Sequence, residues 1–138
     1  MTQEYKELLL KDICSRFPYN VRVEYNGTTL TNVFDVLGIA HGRIVLCLPF
    51  MSKTECPLIE DVKPYLFPMS SITKDIEDEI YHKTGLYDIF EYDQIHIEDG
   101  GNFEDICKLF EILNKHHLDY RGLIPKNLAI DATGLNIY

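Results

Sequence analysis

Tryptophan is absent from this chain, and no apolar run approaches the ~20 residues that a membrane-spanning helix needs. The longest run, 44–48, is strand-sized and is ended by Pro49. The opening residues, Met-Thr-Gln-Glu-Tyr-Lys-Glu, are polar and acidic, unlike a signal peptide, so a cytoplasmic protein is expected. The four cysteines are scattered without a Cys-x-x-Cys pair, which argues against a structural zinc site. Cys14 and Cys107 are expected on apolar helix faces and Cys47 in an apolar strand, as reduced thiols packed like small hydrophobes. Cys56, ahead of Pro57 in a loop, is expected to react with a thiol reagent. A Gly-x-Ser-x-Gly elbow, a phosphate-cradling glycine loop, an internal repeat and a basic patch are all missing. Direct nucleic-acid binding is therefore not expected.

What is present is a globular composition with an uneven charge. The 138 residues predict one domain, 1–138, whose apolar fraction argues against disorder. The net charge of −9 is concentrated: residues 75–105 hold eleven acidic residues and a single lysine, while the rest of the chain is close to neutral. The plain reading is a solvated acidic face that aids solubility. The sharper one is an acidic mimic of a nucleic acid through residues 75–105, which would bind its partner with a strong salt dependence.

The periodicities predict α+β. Tyr5, Leu9 and Ile13, with Leu10, Cys14 and Phe17 beside them, predict a first helix over 3–16, stopped by Pro18. Val21, Val23 and Tyr25 alternate with Arg22 and Glu24 as in a half-buried strand, and Asn26-Gly27 predicts a hairpin turn. A return strand over about 28–36, with a bulge near Val33-Phe34, a turn bracketed by Gly38 and Gly42, and a third strand over 43–48 follow. Residues 62–66 read as a short edge strand that tolerates Pro64.

Thr73 is the expected N-cap of a second, surface helix over about 74–83, closed by Gly85. Residues 86–98 are ambiguous, and 99–102 read as a turn that also supplies a cap. Phe103, Ile106, Cys107, Phe110, Leu113 and Asn114 trace one face of a third helix over about 103–117. The expected architecture is a small antiparallel sheet or partial barrel of three to four strands, with an N-terminal helix and two C-terminal helices packed on it.

The densest group of reactive side chains follows the third helix. His116, His117, Asp119, Tyr120 and Arg121 lie within six consecutive residues. Imidazoles and a carboxylate suit a metal, but adjacent histidines on a helix point about 100° apart, so no metal site and no cofactor are expected. Asp119 and Arg121 could grip an anion, with Arg121 as the fork. The structural alternative pairs Arg121 with Asp119 or with the last helical carbonyls, with Tyr120 packed across the gap. No catalytic residue is assigned, and an enzyme has no positive support. The block, together with Tyr65, is the candidate interaction or ligand site, since Tyr and Arg are enriched at binding hot spots.

Three blocks carry a resemblance: 10–21 (Leu-Lys-Asp-Ile-Cys-Ser-Arg-Phe-Pro-Tyr-Asn-Val), 62–73 (Val-Lys-Pro-Tyr-Leu-Phe-Pro-Met-Ser-Ser-Ile-Thr) and 116–129 (His-His-Leu-Asp-Tyr-Arg-Gly-Leu-Ile-Pro-Lys-Asn-Leu-Ala). In this order the chain resembles a family of small uncharacterised proteins of phages, prophages and other mobile elements of Bacteroides and relatives. Phe67 stands where similar proteins often carry a basic residue, and Asn127 where they often carry glycine. The resemblance implies a bacterial host cell as the setting and carries no activity. The expectation is a non-catalytic accessory protein that binds a host or phage protein; the alternative is a small enzyme or ligand-binding protein using 116–121.

Overall fold

The computed structural model describes residues 1–26, 32–48, 52–91, 94–95 and 102–138. The chain is α+β and forms two compact units, residues 1–66 with 123–138, and residues 67–122. Among the described residues no helix is long and apolar enough to cross a membrane.

The first unit begins with helix α1, Gln3–Arg16, whose N-cap Thr2 accepts from the Tyr5 amide. Leu9, Asp12, Ile13 and Arg16 are its buried residues. Leu10 and Phe17 are exposed, and so is Cys14, which corrects the expectation that Cys14 packs on an apolar face.

The strands are β1 (Arg22–Tyr25), β2 (Val33–Ala40), β3 (Arg43–Cys47), β4 (Thr54–Glu55), β5 (Val62–Leu66) and β8 (Ile130–Asp131). They form one six-stranded sheet in the order β4-β3-β2-β1-β5-β8. All neighbours are antiparallel except β5 and β8, so the sheet is mixed and larger than the three to four antiparallel strands expected. The two-residue strands β4 and β8 are too short to leave a periodic signal.

The β2–β3 turn is His41-Gly42, both at positive φ, as a two-residue hairpin requires. Gly38 belongs to β2 rather than to the turn, and the bulge falls between Val36 and Gly38 rather than at Val33-Phe34. The expected turn after Asn26 lies outside the described residues. β5 is not an edge strand, because β1 and β8 flank it. Successive backbone groups alternate sides, and the Leu66 carbonyl accepts from Ala132 on the β8 side. Pro64 faces that side too, where its missing N–H breaks no β1 rung. Leu9 and Ile13 pack with Val21, Val23, Phe34, Ile44 and Leu46 as the core of this unit.

The second unit holds α2 (Lys74–Thr84), the two-residue pair β6 (Phe90–Glu91) and β7 (Gln94–Ile95), and α3 (Phe103–Lys115). Thr73 caps α2 through the Ile76 amide, and Gly85 at φ +72° ends it. Asn102 caps α3 through the Asp105 amide. The ambiguous stretch 86–98 lies partly, and the turn expected at 99–102 largely, outside the described residues. Ile80, Leu109, Ile112, Leu113 and Leu118 form the core of this unit. On α3 the buried stripe is Leu109, Ile112, Leu113 and Asn114, whereas Phe103 and Cys107 are exposed, contrary to the face expected.

Candidate functional site

The 116–121 block sits at the end of α3, and each of its residues has a place in the second unit. The helix stops at Lys115, two residues earlier than expected, because His117 turns left-handed at φ +54°. The His117 amide donates to the Asn114 carbonyl at 3.0 Å and the Leu118 amide to Leu113 at 3.0 Å. That bonding pattern is the Schellman terminator, with histidine where glycine usually stands. The chain then pairs with Phe67: the Phe67 amide donates to the His117 carbonyl at 2.9 Å, and the Asp119 amide donates to the Phe67 carbonyl at 2.8 Å. His117 and Asp119 are both 6% exposed. Gly122, at φ +66°, closes a turn by donating to the Asp119 carbonyl.

Tyr120 donates its hydroxyl to Oδ1 of the buried Asn114 at 2.9 Å and packs its ring 5.0 Å from that of Phe110. The Arg121 guanidinium lies 4.6 Å over the Tyr120 ring, a cation–π contact. Tyr65, the remaining residue of the candidate interaction or ligand site, belongs to the first unit, where it is 6% exposed in β5. Burial, with the Glu24 charge behind it, pushes the Tyr65 phenol up.

His116 has a different partner from any read in the sequence. Its Nε2 lies 2.8 Å from Oε2 of Glu79 on α2. Lys83 and Lys115 both donate to Oε1 of the same carboxylate at 2.9 Å. The hydrogen bonds from His116, then Lys115 and Lys83, hold Glu79 down at about 2, against the opposing effect of partial burial. One carboxylate thus gathers three basic groups from two helices, leaving His116 committed to it. No group of three metal-binding side chains occurs among the described residues.

Its neighbours on α2 are unlike it. Glu77 and Asp78, with Asp88 in the following loop, have no cation at ion-pair distance among the described residues. These three carboxylates line a cavity of about 240 Å³ together with Tyr81, Tyr87 and Phe90. Tyr87 is 74% exposed and Tyr81 53%. Buried Ile80 and Ile89 also line it. Asp88 stands at φ +51°, a left-handed geometry that Asp tolerates better than most residues. Such a cavity brings carboxylates and aromatic rings together, the combination that receives an organic cation. It lies in the acidic section already visible in the sequence, but sequence alone does not separate Glu79 from Glu77, Asp78 and Asp88. Residues 75–105 as one face cannot be traced, since 92–93 and 96–101 lie outside the described residues.

The other feature missed is a buried ion pair. Arg16 donates bidentately to Asp12, Nε to Oδ2 at 2.8 Å and Nη2 to Oδ1 at 3.0 Å, and both side chains are 0% exposed. The signal was the shared helical face of positions 9, 12, 13 and 16.

No family model, curated protein or solved structure matches this chain.

Proposed function

We propose that this chain is a non-catalytic accessory protein of a phage or prophage, working in the bacterial cytoplasm by binding a host or phage protein. The cavity beside α2 is its contact site, and the partner presents a basic side chain there. The observation that carries the reading is the contrast along one helix. Glu79 is saturated by its own cations, while Glu77, Asp78 and Asp88 face a cavity with two exposed tyrosines. Carboxylates with no cation at ion-pair distance among the described residues, beside exposed aromatics, favour an external cation, because guanidinium and ammonium groups gain from both. The three blocks that resemble phage and prophage proteins support the setting.

The enzyme reading needs the 116–121 groups, and in this arrangement they terminate a helix, pair with Phe67 and hold Glu79. The nucleic-acid mimic is an extended form of the same chemistry, with a phosphate-binding basic surface as the partner.

The test is fluorescence anisotropy of a labelled arginine-rich peptide at low and moderate salt. Binding that weakens with salt, and weakens further in Asp88→Asn but not in Asp75→Asn, supports the site. Equal loss in both variants reduces the effect to net charge and contradicts it.

A further inference from the structure

We propose that a cavity between α1 and β2 binds a small uncharged aromatic molecule, one ring in size. The cavity has a cause in the strand register. Val36 stands opposite Leu46 and Ile39 opposite Ile44, while the register shifts between Val36 and Gly38. Residues directly opposite share a face of the sheet, and Leu46 and Ile44 are buried in the core that holds Leu9 and Ile13 of α1. On the helix side of β2 the successive side chains are therefore Val36 and Ile39, three residues apart where a regular strand has two. The extra residue of the bulge leaves backbone facing α1 with no side chain to fill the space. Ile13, Cys14 and Phe17 border that space from the helix and its end, and Val36, Gly38 and Ile39 from the strand, around about 160 Å³. Gly38 is not needed for the bulge: its φ is not left-handed, and a methyl group there would meet no atom within 4 Å. Such a glycine inside a strand suits the close approach of a ligand.

The lining selects the ligand. Among the described residues, four hydrocarbon side chains, a thiol and a glycine border the cavity, and none of them is charged. An ionised ligand would give up hydration there without a partner in return. Buried Ile13 and Val36 supply aliphatic contact. Phe17 supplies a ring, and a ring against a ring gains beyond the area it buries. Apolar cavities of about 150 Å³ take benzene, so a single ring matches the volume. A protein partner needs more surface, because a stable interface buries about 800 Å² on each side. Leu10, Phe17 and Ile39, exposed at 37%, 44% and 43%, with Cys14 beside them, supply less than that. The site lies wholly in the first unit and stands or falls without the α2 cavity.

The experiment uses the full-length protein, benzene as the probe, and the reaction of its thiols with a small maleimide, followed residue by residue by mass spectrometry. Cys14, Cys56 and Cys107 are all exposed, and of these only Cys14 lines the cavity. Benzene at about 10 mM, above the ~millimolar affinity expected of so few atoms, should slow labelling of Cys14 about threefold or more. Cys56 and Cys107 should label as fast as without it. Benzoate at the same concentration should protect none of the three. In Ile39→Asp, which sets a carboxylate against the cavity from an exposed position, benzene should no longer protect Cys14. Unchanged Cys14 labelling in benzene, equal slowing of all three thiols, equal protection by benzoate, or protection that survives in Ile39→Asp overturns the proposal. Cys14 labelling that slows with protein concentration in the absence of benzene makes a second copy of the chain the occupant and overturns it as well.

Discussion

The Asp12–Arg16 pair in the first unit and the Glu79 cluster in the second are both helix-borne charge networks, yet water treats them differently. Asp12 and Arg16 are sealed, each 0% exposed, and are joined by two parallel bonds. Glu79 keeps 20% of its side chain exposed, and Lys83 and Lys115 keep 55% and 50%. Sealed charges have surrendered their hydration, so removing one strands the other at a large cost. Exposed cations regain water at once when their partner leaves. The number of bonds is therefore a poor guide: Glu79 gathers three basic groups, yet the larger dependence is expected at Asp12.

That contrast can be broken directly. Asp12→Ala should lose about 3–5 kcal/mol in urea denaturation, because it leaves Arg16 buried without its carboxylate. The double variant Asp12→Leu/Arg16→Met should recover most of that loss, since apolar replacements of similar volume remove the desolvation cost together with the pair. A double variant as unstable as Asp12→Ala would mean that the pair contributes more than its mutual neutralisation.

Tyr120→Phe comes next, at about 1–2 kcal/mol, because it leaves Oδ1 of buried Asn114 without its donor. Glu79→Gln should cost about 1 kcal/mol after screening by water at its lysines. Its pH signature is more specific. Folding lowers Glu79 from its ordinary 4.5 to about 2, so its contribution is complete above about pH 4.5 and is lost as the pH falls through about 2. The difference in stability between wild type and Glu79→Gln should shrink over that window. A constant difference would detach the cluster from Glu79 ionisation. Arg121→Ala, which loses a partly exposed cation–π contact, should cost the least, about 0.5–1 kcal/mol.

The elements that sequence periodicity reached share one property: their signals are local. Helix α1, the Thr73 and Gly85 caps of α2, the Asn102 cap and the third strand need only neighbours in sequence. What escaped depends on partners far along the chain. β8 exists because Ile130 and Asp131 meet Tyr65 and Leu66, and β5 is interior for the same reason. Apolar periodicity carries no sign that Asp12 and Arg16 are buried, although Leu9 and Ile13 share their face. Cys14 and Cys107, expected on apolar faces, are exposed. His117 ends α3 as a glycine would, a backbone role that the reactive composition of its neighbourhood does not signal. The acidic section was visible by counting, but its division into a neutralised Glu79 and the carboxylates that line the cavity required Lys115 and His116 to arrive from another helix.

The most direct test of the account places Arg121→Ala and Tyr87→Ala side by side and measures binding of the same arginine-rich peptide to each. Arg121 belongs to the fold of the second unit, and Tyr87 to the proposed contact site. Arg121→Ala should bind like wild type, while Tyr87→Ala should lose about fivefold in affinity, the equivalent of one cation–π contact of about 1 kcal/mol. Loss of binding in Arg121→Ala with Tyr87→Ala unchanged would return the site to the 116–121 block and contradict the account.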